Sequence, residues 1–193
     1  LIRQCTQLAL HHCATRKAFG RPLNEQPLMR SVLADLSIES EAAVVLWMRL
    51  AAALDNAAKG DKNEQDFIRL ATAISKYWVC KRAPTVAYEA MECHGGNGFV
   101  EENPMAKLYR QSALNAIWEG SGNVICLDVL RAMSKEPESL ASLYKYLLQE
   151  NGSDSRLDNF TASIMRDIDA MSEDAGLIVP RLRQIVDRLA VAL

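Results

Sequence analysis

From Leu28 to Leu54, apolar residues recur at helical spacing without a break: Leu28, Val32, Leu36, Ala43, Leu46 or Trp47, Leu50 and Leu54. That is roughly seven turns of one helix, opened by Pro27 at its first position. A helix so long can bury its stripe only against other long helices, which points to an all-α bundle. The rest of the chain supplies the partners. Residues 2–17 place Ile2, Cys5, Leu8 or Ala9, and His12 or Cys13 on one stripe, and the basic pair Arg16-Lys17 suits a helix end before Gly20. Phe67, Leu70, Ile74, Tyr77 or Trp78, and Lys81 start a third long helix, with a bend expected near Pro84 and a resumption to about His94. Glu101-Glu-Asn-Pro104 can start a short helix through Tyr109, and Val124 to Met133 forms the fourth long element. The expected fold is therefore an up-down four-helix bundle over residues 1–134. Beyond Lys135-Glu-Pro137 a helical C-terminal extension is expected over 135–193, with helices at about 138–149, 156–173 and 177–192 separated by Asn151-Gly-Ser-Asp154 and Gly176.

Two glycine-bearing loops interrupt this pattern, Cys93-His-Gly-Gly-Asn-Gly-Phe99 and Ile117-Trp-Glu-Gly-Ser-Gly-Asn123. Glycine is costly inside an element, so Gly95-Gly96-Asn97-Gly98 marks either a positive-φ turn or backbone pressed against a ligand. In the second loop Glu119 stands between the indole of Trp118 and small residues, just ahead of the Val124 helix, a setting that suits a general base. The alternative for both loops is a plain helix connection with C-cap glycines, Glu119 or Ser121 capping the helix that follows.

Composition narrows the classes. The chain has 193 residues, 49% of them hydrophobic, enough for a sizeable core. A net charge of −2 gives no general attraction to nucleic acid or to anionic membrane, and no apolar run reaches transmembrane length. The start, Leu1-Ile-Arg-Gln-Cys5, has neither an initiator Met nor a signal-peptide layout, so a fragment of a longer protein is expected. Cys5, Cys13, Cys80, Cys93 and Cys126 lie on helix patterns without any Cys-x-x-Cys, which suggests reduced, mostly buried thiols and a cytoplasmic setting. His11, His12 and His94 do not join them at ligand spacing, so no metal is expected.

A third element, Arg16-Lys-Ala-Phe-Gly-Arg-Pro-Leu23, completes a recognisable set. With Gly95-Gly-Asn-Gly-Phe99 and Trp118-Glu-Gly-Ser121 it resembles, in order and spacing, the C-terminal helical domain of the acyl-CoA dehydrogenase family over about residues 1–134. Gln26-Pro-Leu-Met-Arg30, Val79-Cys-Lys-Arg82, Leu108-Tyr-Arg110 and Ile117-Trp-Glu-Gly-Ser-Gly-Asn123 are similar to the AidB-like branch of that family.

The resemblance implies an FAD-dependent oxidoreductase acting on an acyl-CoA, with Glu119 as the base that removes the α-proton. It implies that Arg16 and Phe19 reach the FAD of a neighbouring subunit, at the pyrophosphate and the adenine end, and that Gly95 and Gly96 bring backbone N–H groups to the pyrophosphate. Ser121 and Asn123 would hydrogen-bond the cofactor, while Trp118 and Gly120 line the acyl site. Glu92 replaces the family's usual Gln. An ionised carboxylate only accepts, so it suits ribose hydroxyls or the adenine amine better than a phosphate. Ala18 and Pro27 stand where Thr and Gln are common, and Gln26 is a possible substitute one position away. A homo-oligomer, dimer or tetramer, follows from the same resemblance, and no membrane contact does. Without the family's preceding domains, the stretch by itself is expected to act only as an oligomerisation module. The alternative is an AidB-like stress-response flavoprotein with weak dehydrogenase activity and DNA association. Residues 135–193 count against DNA, with seven Lys and Arg against ten Asp and Glu, a net of −3.

Overall fold

The computed structural model describes residues 1–149, 151–173 and 179–193. The described residues are all-α with one minimal hairpin: α1 Ile2–Thr15, β1 Lys17–Ala18, β2 Arg21–Pro22, α2 Pro27–Ala58, α3 Lys62–Cys93, α4 Gly96–Phe99, α5 Pro104–Leu114, α6 Gly122–Lys135, α7 Pro137–Leu147, α8 Ser155–Glu173 and α9 Leu182–Ala192. Pro27 opens α2 as expected, and Pro104 opens α5 behind Asn103, whose side chain accepts from the Met105 N–H at 2.9 Å. Three expectations need adjusting. α1 stops at Thr15 rather than 17 because Arg16 turns extended (φ −74, ψ 126) and leads into the hairpin. α3 begins at Lys62, ahead of the start expected at Phe67, where Asp61 accepts from the Glu64 N–H at 3.2 Å; it contains Pro84 and resumes beyond it to Cys93, as expected. The glycine turn after α3 contains a single helical turn, α4. The helix start expected at 177 behind Gly176 lies outside the described residues; from Val179 a 3-10 turn leads into α9.

Two compact units divide the chain, and α2 and α3 each lend residues to both. The first, Leu1–Val45 with Val79–Trp118, packs Cys5, Ala9 and Cys13 of α1 against Leu33 and Leu36 of α2, Ala83, Val86, Ala87 and Ala90 of α3, and Met105 of α5. Its long-range polar ties include Thr6 Oγ1 donating to the Leu36 carbonyl at 3.3 Å and the Arg82–Glu39 ion pair. The second, Leu46–Trp78 with Glu119–Leu193, has Leu70, Ile74, Val129, Leu143, Ile164, Ile185 and Leu189 as fully buried large side chains. Here α9 packs on α6 and α8, and α7 packs on α6, so the extension is built around the helix that follows Glu119.

Candidate functional site

The hairpin after α1 is set by Ala18 pairing with Arg21, which leaves Phe19 (φ 53) and Gly20 (φ 82) as a two-residue loop. Two positive φ angles define the primed turn that matches strand twist, a place where Asn-Gly is usual. A phenylalanine there costs about 1–2 kcal/mol of backbone strain, and its ring is 95% exposed, so packing within the chain does not explain it. Gln26 Nε2 donates to the Ala18 carbonyl at 3.1 Å and braces the hairpin, which is how this chain uses the amide next to Pro27. Arg16 is exposed at the hairpin's root.

α3 ends in a corner built on two glycines. Gly95 takes φ 59, which a side chain tolerates poorly. Gly98 is a close approach: an added Cβ would stand 2.5 Å from the Met91 carbonyl oxygen. Gly96, in contrast, has nothing within 4 Å of an added Cβ, so its backbone is open. His94 is buried, and its Nδ1–H donates to the Ala90 carbonyl at 2.8 Å. Its ring stacks on His12 at 4.5 Å, which brings the last turn of α1, and with it the approach to Arg16, against the end of α3. Burial first, then the charges of His94, Arg16 and His11, hold His12 below its ordinary value. Glu92 and Gly95 share the wall of a cavity of about 450 Å³ with Tyr88, Met91, Phe99 and Tyr109. The Tyr88 and Tyr109 rings meet at 5.9 Å.

The loop between α5 and α6 is strained at the residue of greatest interest. Glu119 has φ 54 and Gly120 φ 105, two consecutive left-handed residues, of which only the glycine is at ease. Lys76 Nζ, from α3, donates to the Gly120 carbonyl at 2.9 Å. Ser121 occupies the N-cap position of α6, yet only its backbone acts there: its carbonyl accepts from the Ile125 N–H at 3.0 Å and its hydroxyl makes no capping bond. The plain capping alternative for Ser121 is thus not what this loop does. Glu119, Ser121 and Asn123 are exposed, and Trp118 is 54% exposed, so the indole does not enclose the carboxylate within this chain. Among the described residues no group of His, Cys, Asp or Glu is arranged to hold a metal, and no helix is long and apolar enough to cross a membrane.

The structure therefore groups Glu92, Gly95 and Gly96 at one corner, with Arg16 and Phe19 leading away from the His12–His94 stack. It groups Glu119, Gly120 and Ser121 in one loop that Lys76 tethers, with Asn123 in the first turn of α6. Lys76 is a residue the sequence did not single out, because its partner lies 44 positions away and no local pattern announces the contact.

Residues 1–134 match the C-terminal domain of acyl-CoA dehydrogenases. AidB of Escherichia coli strain K12 is 38% identical over 176 residues, covering 91% of this chain and 32% of that protein. The crystal structure of Caenorhabditis elegans ACDH-11 in complex with C11-CoA superposes with a TM-score of 0.88 at 25% identity, covering 99% of this chain and 35% of its own. Butyryl-CoA dehydrogenase of Megasphaera elsdenii gives 0.60 at 26% identity over 69% of this chain and 33% of its own. The likeness to AidB and ACDH-11 thus continues past residue 134, while the chain spans about a third of the length of these relatives. Because the matched region contains all three loops, and the strained Glu119 loop lies inside it, the chain belongs to the acyl-CoA dehydrogenase family of FAD-dependent flavoproteins.

Proposed function

We propose that the protein carrying this chain is an FAD-dependent acyl-CoA dehydrogenase that introduces an α,β double bond into an acyl-CoA thioester, with Glu119 as its base. The carrying observation is Glu119 itself, a non-glycine residue at φ 54 whose carboxylate is exposed at the head of α6. Backbone strain at an exposed charged residue fits a group placed for a substrate. One carboxylate oxygen of Glu119 takes the α-proton and becomes a carboxylic acid as the Cα–Cβ double bond forms. The acceptor for the hydride leaving the β-carbon would be supplied by bound FAD. Trp118 and Gly120 line the acyl end, and the bulk of the indole shortens the space available there.

The residues present fit the cofactor. The ring of Phe19 is presented outward by its hairpin, and the open backbone at Gly96 leaves room for a group from outside the chain. Arg16, Phe19 and the Gly95–Gly96 corner would hold the pyrophosphate and adenine end of a neighbouring subunit's FAD; the Gly95 N–H already donates to the Glu92 carbonyl at 2.9 Å, so the backbone contact to phosphate expected of both glycines falls to Gly96. Ser121, whose hydroxyl caps nothing, would hydrogen-bond the cofactor with Asn123. Glu92 would accept from ribose or adenine donors. This reading entails a homo-oligomer, dimer or tetramer, in which residues 1–134 supply the family's bundle and 135–193 a helical extension that packs on α6. Cys5, Cys13, Cys93 and Cys126 are buried and all five cysteines are thiols, which supports a reducing, cytoplasmic setting.

In the full-length protein, Glu119→Gln should leave the flavin bound while its reduction by acyl-CoA slows by about 10²–10⁴-fold. Unchanged reduction would move the base elsewhere. Lost flavin binding would make Glu119 a loop-holding residue. A second reading, an AidB-like stress-response flavoprotein with DNA association, draws on the likeness to AidB that continues into the extension. Retention of duplex DNA at physiological salt would support it, against the acidic balance of residues 135–193.

A further inference from the structure

We propose that Lys76 is the positioning residue of the base loop, holding Glu119 in its strained conformation from across the fold. This inference rests on Glu119 acting as the base. Lys76 stands between Ser75 and Tyr77, both buried, so its Cα is fixed in the packed part of α3. Its ammonium reaches the Gly120 carbonyl at 2.9 Å, and that carbonyl belongs to the peptide unit joining the left-handed Glu119–Gly120 pair to the N-cap of α6. Fixing this peptide plane fixes how the strained pair meets the helix. Without it, Glu119 can relax toward ordinary backbone angles, Gly120 turning with it, and the carboxylate moves.

A second grip on the same helix makes the role of Lys76 specific. Arg69 lies two turns before Lys76 on the same face of α3. It donates to Asp128 at 3.0 and 3.2 Å and to Glu136 at 3.2 Å, holding α6 from its middle to its C-terminal end. The seating of α6 is thus secured by Arg69 and by its packing on α7 and α9, independently of Lys76. What Lys76 adds is a hold on the loop itself, at the Gly120 carbonyl. Its charged donor suits this, because a hydrogen bond from an ammonium to a carbonyl is stronger than a neutral one.

The test uses the full-length flavin-loaded protein with Lys76→Met, which keeps the length of the aliphatic stem and removes the donor. Amide hydrogen exchange over residues 117–123 should quicken by about tenfold or more, the loss expected for a charge-assisted bond. Exchange along α3 should not change. Flavin reduction by acyl-CoA should slow by a similar factor, with the acyl-CoA dissociation constant unchanged. Lys76→Arg, which keeps a charged donor, should retain slow loop exchange and most of the rate. Unaltered loop exchange in Lys76→Met overturns the proposal, as does faster exchange spread along α3 or an equal loss in the arginine and methionine variants. The outcome is separable from that of the proposed function. If Glu119→Gln leaves flavin reduction intact, the base reading fails, while the exchange measurement still reports whether Lys76 holds the loop.

Discussion

At the scale of single residues, the glycines of the corner after α3 are not equivalent. An alanine Cβ at Gly98 would press on the Met91 carbonyl at 2.5 Å and on His94 Cβ at 2.9 Å, and backbone cannot give way cheaply. Gly98→Ala should therefore cost about 1–3 kcal/mol, read as a lowered thermal midpoint. Gly96→Ala meets nothing in the chain and should change stability by less than about 0.5 kcal/mol. If FAD approaches that backbone, the same substitution should still weaken flavin affinity in the full-length protein, which separates a folding role from a binding one. The stacked histidines beside this corner give a pH dependence. Burial and neighbouring charges keep His12 below 6.5, so the folded chain favours the neutral ring while the unfolded chain takes up a proton. The stability from this group is fully present above 6.5 and is lost as pH falls through the lowered folded value. Thermal midpoints measured from pH 7 to 5 should fall more steeply for the native sequence than for His12→Gln, and parallel curves would exclude the linkage.

Between elements, a guanidinium of α2 adds to the packing that fastens the extension. Arg49 of α2 pairs in bidentate fashion with Glu64 of α3 at 2.9 and 3.0 Å, and lies over the rings of Phe67 at 4.3 Å and Tyr146 of α7 at 4.7 Å. Arg49→Met keeps the stem and removes the fork, so it should destabilise by about 1–2 kcal/mol. A double-mutant cycle with Tyr146→Leu should return a coupling of about 0.5–1 kcal/mol, and strict additivity would mean that Arg49 does not couple to α7. At this scale the sequence was informative where the signal is local and repeated. The apolar periods and Pro27 located α2, the break around 136 located the start of α7, and 151–154 located its end and the start of α8. The hairpin was not legible, since two-residue strands are too short to show alternation and Phe19 is not a usual turn residue. Nor was α4, because Gly-Asn-Gly-Phe has almost no helix propensity and is held by the close contact of Gly98 with Met91. The site was half legible. Motifs named Glu119 and the glycines, but the strain at Glu119, the unused hydroxyl of Ser121 and the reach of Lys76 are tertiary facts with no sequence period.

At the scale of the whole molecule, each unit leaves apolar side chains uncovered in a way a solvated monomer rarely does. The first unit presents Phe19 and Leu28. The second presents Trp47 and Leu54, which are 64% and 62% exposed and two turns apart on one face of α2, and also Val124 and Leu127 on α6. Exposed aromatics and leucines at helical spacing are the composition of an interface centre, where a few anchors carry most of the binding energy. The proposed cofactor site would require the same thing on other grounds, since it places Phe19 and Gly96 against the FAD of a neighbouring subunit. Full-length protein should therefore sediment as a dimer or tetramer at micromolar concentration. Replacing Trp47 and Leu54 together by Gln keeps helix propensity close to that of leucine and removes two apolar anchors, so it should raise the dissociation constant by about 10–100-fold. If assembly also completes the flavin site, the fraction of protein holding FAD should fall at the dilutions where the variant dissociates. A variant that dissociates yet keeps full flavin occupancy would leave self-association in place and remove the shared cofactor site, whereas native protein that sediments as a monomer would remove both.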